Sequence, residues 1–310
     1  MSPQKYFEIL GKKIKKMQKK TLLLRKNIFK YLILGSNGLL GSEFKKILPK
    51  KYTLTIAKNN SDININLKNF QDLNSVFKKF KFKFVINCAA ITDLNSCESN
   101  YLECKKINTI LPYRLGLFSR KFKFKLIQIS TDQFYFSKKI FLNKETDRVK
   151  PINNYAKSKI LCENNLKKIN NCLIIRTNFT GFKKKLNSTF IGWVLDSIKK
   201  KKKVKLFNDM YVSTLDVSSC TKLIKKLIFK DAKGLYNVGT SYPITKKEYA
   251  IIFSKKIRRK IYFANQSVNT LDLKRSNYLG LDIKKIENKL KTKMISPQNA
   301  ISKLVNQIPN

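Results

Sequence analysis

The segment Gly35-Ser36-Asn37-Gly38-Leu39-Leu40-Gly41 constrains this chain more than any other stretch. Three of only ten glycines in 310 residues fall within these seven positions. Directly before them runs Tyr31-Leu32-Ile33-Leu34, a short apolar run of the kind that forms a buried strand. Directly after them, Leu40, Phe44, Ile47 and Leu48 recur at helical spacing until Pro49 stops the pattern. A glycine turn between strand and helix presents backbone N–H groups at the positive end of the helix dipole, where phosphates bind. Gly35 suits a sharp exit from the strand. Gly38 suits a close approach of backbone to a pyrophosphate, and Gly41 a close approach of helix to strand. The spacing is G-x-x-G-x-x-G, one residue longer at the start than G-x-G-x-x-G. Strand before and helix after favour a dinucleotide site over a plain turn.

The alternation continues beyond this unit. Tyr52 to Ile56, Phe84 to Ile86, Leu126 to Ile129 and Cys172 to Ile175 read as strands. Phe70 to Phe80, Glu98 to Phe118 and Tyr155 to Leu166 read as helices, with Pro112 a possible bend in the second. Strands alternating with helices predict an α/β fold with a doubly wound parallel (Rossmann) sheet. After about residue 180 the alternation loosens. Helices are predicted at Phe190 to Ile198, Val217 to Ile228, around Tyr249 to Phe253 and at Ile283 to Leu290, and a strand at Leu235 to Val238. The expected organisation is therefore a basic N-terminal extension over 1–29 and a dinucleotide-binding domain over 30–180. Residues 181–310 are expected to form mainly a smaller mixed α/β substrate-binding lobe, with strand 235–238 returning to the sheet.

Composition removes whole classes of chemistry. There is no histidine, which excludes His-based acid–base catalysis, Ser-His-Asp triads and His metal sites. Proton transfer falls to Tyr, Lys, Asp, Glu or Cys. Cysteines 88, 97, 104, 162, 172 and 220 show no C-x-x-C pair and no metal spacing, so no metal is expected and the thiols read as free in a reducing, cytoplasmic compartment. No apolar run reaches the roughly 18 residues of a membrane helix. Lys and Arg number 66 against 19 acidic residues, a formal charge of +47. The lysines are spread along the whole chain rather than gathered in a stripe. Lys, Asn, Ile and Phe are all over-used, a compositional bias toward A/T-rich codons, so no specific nucleic-acid partner is expected. The basic first 29 residues lack the apolar core of a secretory signal.

Four of 13 tyrosines have lysine four residues on: Tyr101, Tyr135, Tyr155 and Tyr242. Context selects Tyr155 with Lys159. Tyr155 opens a helix after a Pro-containing loop, and Lys159 lies one turn on, on the same face. The pair follows the strand end Ile129-Ser130-Thr131-Asp132, where cofactor and substrate meet in such sheets. Hydride delivered to a carbonyl leaves an alkoxide that needs a proton. A free phenol, with pKa about 10, is a poor partner near neutrality. A neighbouring ammonium is expected to lower that value. Thr131 can hydrogen-bond the carbonyl oxygen and aim it at Tyr155. After the second strand, Ala57-Lys58-Asn59-Asn60 offers no carboxylate for a ribose 2′-hydroxyl; Lys58 suits a 2′-phosphate, favouring NADP over NAD.

Taken in order, the glycine segment, Val85-Ile86-Asn87-Cys88-Ala89-Ala90, Ile107-Asn108, Ser130-Thr131-Asp132 and Tyr155-x-x-x-Lys159 resemble the dTDP-4-dehydrorhamnose reductase family. That family is a nucleotide-sugar branch of the extended short-chain dehydrogenases. The resemblance runs from about Lys30 to the end of the chain. It implies NADP- or NAD-dependent reduction of a 4-keto nucleotide-sugar for surface polysaccharide synthesis. It implies Thr131, Tyr155 and Lys159 as the catalytic triad. Cofactor contacts would come from 35–41, Lys58, Asn66, Cys88, Ala89, Ala90, Asn108 and Ser130, and from Tyr155 and Lys159. Substrate contacts would come from Thr92, Gln133, Phe134, Thr177 and Arg275. The expected partners are the nucleotide-sugar and a second copy of the chain. Related dehydratases carry Asp-Glu after the Thr; here Asp132 is followed by Gln133, which disfavours dehydration. Two other readings stand beside reduction: a nucleotide-sugar epimerase with bound NAD, and a non-catalytic regulatory subunit like the relative that regulates methionine adenosyltransferase.

Overall fold

The computed structural model describes residues 28–136, 142–183 and 185–309. The expected N-terminal extension lies outside the described residues except for Ile28 and Phe29, and these two already belong to the first strand. The strands are β1 (Ile28–Leu34), β2 (Thr53–Ala57), β3 (Ile63–Asn64), β4 (Lys81–Asn87), β5 (Lys125–Ile129) and β6 (Cys172–Thr177). Four short ones follow: β7 (Phe179–Thr180), β8 (Val204–Phe207), β9 (Tyr211–Val212) and β10 (Leu215–Asp216). After β11 (Gly234–Val238) come β12 (Ile244–Thr245), β13 (Phe263–Gln266) and β14 (Tyr278–Leu279). Helices are α1 (Leu39–Ile47), α2 (Phe70–Lys79), α3 (Leu94–Ser99), α4 (Tyr101–Lys105), α5 (Leu111–Lys121) and α6 (Asn154–Leu166). They continue with α7 (Phe190–Lys199), α8 (Val217–Phe229), α9 (Lys246–Lys256), α10 (Lys284–Leu290) and α11 (Pro297–Val305).

Seven strands form one sheet in the order β11-β6-β5-β4-β1-β2-β3, every pairing parallel. Chain order reverses between β1 and β4, which makes their carboxyl ends the switch point where ligands bind in doubly wound sheets. Side chains of period two divide the core. Tyr31, Ile33, Phe84, Ile86, Ile127 and Ile175 face α1 and α8. Leu32, Leu34, Leu54, Val85, Leu126 and Ile174 face α2, α5 and α6. On that second face Phe77 stacks on Phe124 at 5.0 Å between ring centroids and meets Phe82, Phe118 and Phe122 as well. Each such ring contributes about 1.5–3 kcal/mol by burial.

A separate core lies beyond the sheet, built from Ile191, Val194 and Leu195 of α7, Tyr249, Ala250 and Phe253 of α9, and Ile301 and Leu304 of α11. The small sheets β12-β9-β14 and β13-β8 accompany it. The second half is not contiguous in space, however. α8, β11 and Ile286 and Leu290 of α10 pack back on the main sheet.

One expected element differs. The single helix read over Glu98 to Phe118 is three helices with a π turn over Lys106–Ile110. The side chain of Asn100 accepts from Glu103 N–H and starts α4, ending the previous helix. Pro112 sits in the first turn of α5, where its missing N–H costs little, and the wider π turn just before it avoids the clash of its ring with a preceding carbonyl.

Candidate active site

The glycine turn leaves β1 as its sequence requires. Gly35 has φ +72°, and a Cβ there would stand 2.7 Å from the backbone nitrogen of Ala89. A Cβ on Gly41 would stand 2.3 Å from the Gly35 carbonyl oxygen, so helix α1 lies directly on the turn. Gly38 is the N-cap of α1, with no side-chain cap and no acidic residue in the first turn. The helix end is therefore free to receive an anion. Asn87, fully buried, accepts the N–H of Ala89 and donates to Gln128. Asn108, in the π turn, clamps Ile91 from both sides: its Oδ1 accepts Ile91 N–H at 2.9 Å and its Nδ2 donates to Ile91 O at 2.9 Å. These bonds hold the Cys88–Thr92 loop against the switch point.

A cleft of about 390 Å³ opens at these strand ends. It brings together Gly38, Leu39, Leu40, Cys88, Ala89, Ala90, Thr92, Ser130, Thr131, Gln133, Tyr155, Lys159 and Thr177 from the residues selected by sequence. Gly35, Ser36, Asn37 and Gly41 form the turn beneath its edge. Lys58 follows β2 on the exposed surface, and Asn37 Nδ2 reaches across to Asn59 O at 2.6 Å. Three selections sit elsewhere. Asn66 is exposed and accepts the N–H of Lys68 in a local turn. Phe134 is fully buried in the core, with the Arg176 guanidinium 4.8 Å from its ring centroid, so it offers no surface to a ligand. Arg275 does not line the cleft, although its charge reaches Lys246, which does.

Tyr155 and Lys159 rise from α6, whose N-cap Asn153 accepts the N–H of Ala156. Lys159 Nζ donates to the carbonyl of Ile129 at 2.7 Å, tying the helix to the end of β5. Burial pushes the Lys159 ammonium below its ordinary value. The expected lowering of the Tyr155 phenol by an ammonium is not what the site shows. Burial dominates and pushes the phenol well above its ordinary value, and the downward pull comes from its hydrogen bond with the Thr131 hydroxyl. Lys159 spends its charge on the Ile129 carbonyl instead.

Beneath the cleft floor, Ser130 Oγ donates to Glu163 Oε1 at 2.6 Å, and Arg176 Nη2 pairs with Glu163 Oε2 at 2.6 Å. Both charged partners are buried, so the pair fixes α6 against the ends of β5 and β6. Asp132, also buried and pushed upward by burial, accepts from Gln133 Nε2 at 2.8 Å and Asn178 Nδ2 at 2.9 Å. Gln133 is thus spent on holding Asp132.

Sequence reasoning missed six residues that line the cleft: Asn178, Phe179, Lys183, Thr189, Phe190 and Lys246. A signal existed for Lys246. Thr245 and Glu248 form a capping box that starts α9, so Lys246 is its first residue. Among the described residues no group of His, Cys, Asp or Glu is arranged to hold a metal, and no helix is long and apolar enough to cross a membrane.

Comparison with known proteins fits this geometry. Residues 29–309 match the family model described as RmlD substrate binding domain. The probable low-salt glycan biosynthesis reductase Agl14 of Haloferax volcanii is 23% identical over 229 residues, 70% of this chain and 76% of that protein. The spore coat polysaccharide biosynthesis protein SpsK of Bacillus subtilis is 27% identical over 216 residues, 68% of this chain and 74% of that one. Among solved structures, dTDP-4-dehydrorhamnose reductase from Bacillus anthracis, in complex with NADP, superposes with TM-score 0.83 at 21% identity, covering 90% of this chain and 99% of its own. With the match spanning nearly every residue from β1 onward, the chain belongs to the RmlD substrate-binding-domain family.

Proposed function

We propose that this chain is an NAD(P)H-dependent reductase of a 4-keto nucleotide-sugar, NADPH being preferred, and that it serves polysaccharide synthesis in the cytoplasm. The observation that carries the reading is the meeting of Thr131, Tyr155 and Lys159 in one cleft with the uncapped N-terminus of α1. The residues present fit the cofactor. The α1 N-terminus and the Gly38-Leu39-Leu40 backbone would take its pyrophosphate, Cys88, Ala89 and Ala90 its flank, and Lys58 a 2′-phosphate. When bound, the nicotinamide supplies hydride to the substrate carbonyl carbon.

The chain's own residues manage the oxygen. Thr131 hydrogen-bonds it and orients it. Tyr155 is protonated at neutral pH, the state a proton donor needs, and passes its proton to the oxygen as negative charge develops there; the hydrogen bond with the Thr131 hydroxyl offsets part of the burial that opposes release. Lys159 braces α6 against β5 and would reach the nicotinamide ribose. Gln133 carries an amide where dehydratases carry a Glu base, and its Nε2 is bonded to Asp132, which favours reduction over dehydration. All six cysteines are free thiols, which fits a reducing compartment. A homodimer is part of the proposal and is read by sedimentation.

The test is a panel of 4-keto nucleotide-sugars, including dTDP-4-dehydrorhamnose, with NADPH absorbance followed in time. Consumption of NADPH that depends on one of these sugars is expected. Tightly bound NAD in the purified protein with no net oxidation would point to epimerisation, and a stable protein partner with no activity to a regulatory subunit.

A further inference from the structure

Two buried thiols touch each other beside Tyr155. Cys104 Sγ donates to Cys97 Sγ at 2.8 Å, and both residues are fully buried. Among the described residues no other two cysteines share a hydrogen bond. With Tyr155 they form a small core of their own, against which Ile91 and Leu94 pack. Each thiol is also tied to the loop that follows β4. Cys97 Sγ donates to the Ile91 carbonyl at 3.7 Å, and Cys104 Sγ accepts from Asn108 Nδ2 at 3.3 Å. The residue after Cys97 reaches the helix that carries Tyr155. Glu98 accepts from the backbone N–H and from the side-chain amide of Asn154, both at 2.7 Å. Helix α3 therefore holds Tyr155 twice, through Cys97 packed against it and through Glu98 at the start of α6.

Apolar side chains would serve packing alone. Two sulfurs in contact add a chemistry that those lack, because a disulfide needs only about 0.8 Å of further approach. Burial pushes the Cys97 thiol above its ordinary value, so the closed segment reacts slowly. The segment itself is built to open. α3 and α4 span six and five residues, Asn100 breaks the chain between them, and Leu102 in α4 is 80% exposed. Short helices with few buried contacts belong to the low-stability end of a fold, where local opening occurs.

We propose that Cys97 and Cys104 are an oxidation site, a dithiol that peroxide converts to a disulfide, and that the disulfide lowers turnover by displacing Tyr155. The effect on turnover rests on the reductase reading; the oxidation does not. In the opened segment one thiol, as thiolate, attacks a peroxide oxygen. An S–O bond forms, the O–O bond breaks, and the leaving hydroxide takes up the released proton as water. The second thiol then attacks that sulfur, the S–S bond forms, the S–O bond breaks and a second water leaves. The two sulfurs lose two electrons and the two peroxide oxygens gain them. Closing the bond draws α3 and α4 together and removes the thiol donor to Ile91, and Tyr155 moves with the sulfurs on which it packs.

The experiment treats the reduced protein with hydrogen peroxide, alkylates the remaining thiols and digests after glutamate, which cuts at Glu98 and Glu103 and so separates the two sulfurs. Mass spectrometry should find the peptide ending at Glu98 linked to the peptide beginning at Cys104, and dithiothreitol should release it. Loss of this link in Cys97→Ala assigns it to Cys97 rather than Cys88. Turnover of the 4-keto nucleotide-sugar should fall by about tenfold to hundredfold on treatment, the effect of moving a reacting group by up to an ångström, and should recover with dithiothreitol. Cys97→Ala and Cys104→Ala, each compared with its own untreated state, should keep their turnover under peroxide. Absence of the link once the half-buried Cys88 has been oxidised, or a link with turnover unchanged, would overturn the proposal. An equal loss in the alanine variants would also overturn it and put the sensitive thiol at Cys88. A reversible link in a protein that reduces no 4-keto nucleotide-sugar even before treatment would support the oxidation site and overturn the reductase reading.

Discussion

The two walls of the cleft are built on different principles. The cofactor wall is backbone and small residues: Gly35 with its positive φ, Gly41 pressed on the Gly35 carbonyl, Ala89, Ala90, and an uncapped helix end. The opposite wall is long side chains from elements far apart in sequence: Thr131 and Gln133 after β5, Phe190 on α7 and Lys246 on α9. A wall made of backbone geometry must be specified by a contiguous motif, because only neighbouring residues set a turn. A wall made of side chains is specified by tertiary folding, and no short segment announces it. The first wall should therefore be brittle to any added atom, whereas the second should respond in graded fashion to charge.

Breaking the cofactor wall should have the largest effect. Gly41→Ala puts a methyl 2.3 Å from the Gly35 carbonyl oxygen, with no flexible side chain to yield. We expect about 3 kcal/mol of lost stability, or more, together with lost NADPH binding. Thermal melts with and without NADPH read both. A variant that melts and binds as the wild type would show that the turn has slack that its geometry denies.

Next comes the clamp that holds the Cys88–Thr92 loop in the cofactor wall. Asn108→Ala leaves the N–H and carbonyl of Ile91 without their partner, at a cost of about 1–3 kcal/mol. Chemical denaturation measures it, and weaker NADPH binding should accompany it, because the Cys88–Thr92 loop loses its anchor. An unchanged midpoint would mean that water replaces the amide without penalty.

A smaller effect separates the two walls by pH. The Lys246 value of about 8 lies below the roughly 10.4 of an unfolded lysine. Between these values the unfolded chain holds the proton and the folded chain has lost it, so stability rises with pH across that window and is lost as pH falls through about 8. Lys246→Met should remove this slope from the difference between the two denaturation curves. Parallel curves from pH 7 to about 10 would place the ammonium in ordinary solvent instead.

The smallest effect is expected at Lys58, which is exposed. Lys58→Ala should weaken NADPH by a few-fold and leave NADH unchanged, as befits a solvated charge contact worth about 1 kcal/mol or less. Equal losses for both cofactors would remove the 2′-phosphate from its role.

The same contrast explains what was legible in the sequence. The β1–turn–α1 unit and the core strands could be read because each is a local pattern: an apolar run, a glycine spacing, a helical period. Tyr155 and Lys159 could be chosen among four similar pairs because their helix follows the end of β5. The two-residue strands β9, β12 and β14 carry too little periodicity to stand out, whereas α11 had a readable signal in its Ser296 cap, Pro297 and the spacing of Ala300, Ile301 and Leu304. Phe134 looked like a substrate contact because it follows Ser-Thr-Asp, but the chain turns there and sends the ring inward against Arg176. The control of Tyr155 by burial rather than by its lysine was also out of reach. Burial is a property of the assembled cleft, and the Ile129 carbonyl that occupies Lys159 lies 30 residues away in sequence.

The most direct test of the account is Tyr155→Phe, which keeps the ring in its buried place and removes only the phenolic hydroxyl. NADPH affinity should match the wild type, while turnover of the 4-keto nucleotide-sugar should fall by about 10²–10⁴-fold, the contribution of one positioned proton donor. Turnover equal to the wild type in that variant would contradict the assignment of the proton to Tyr155.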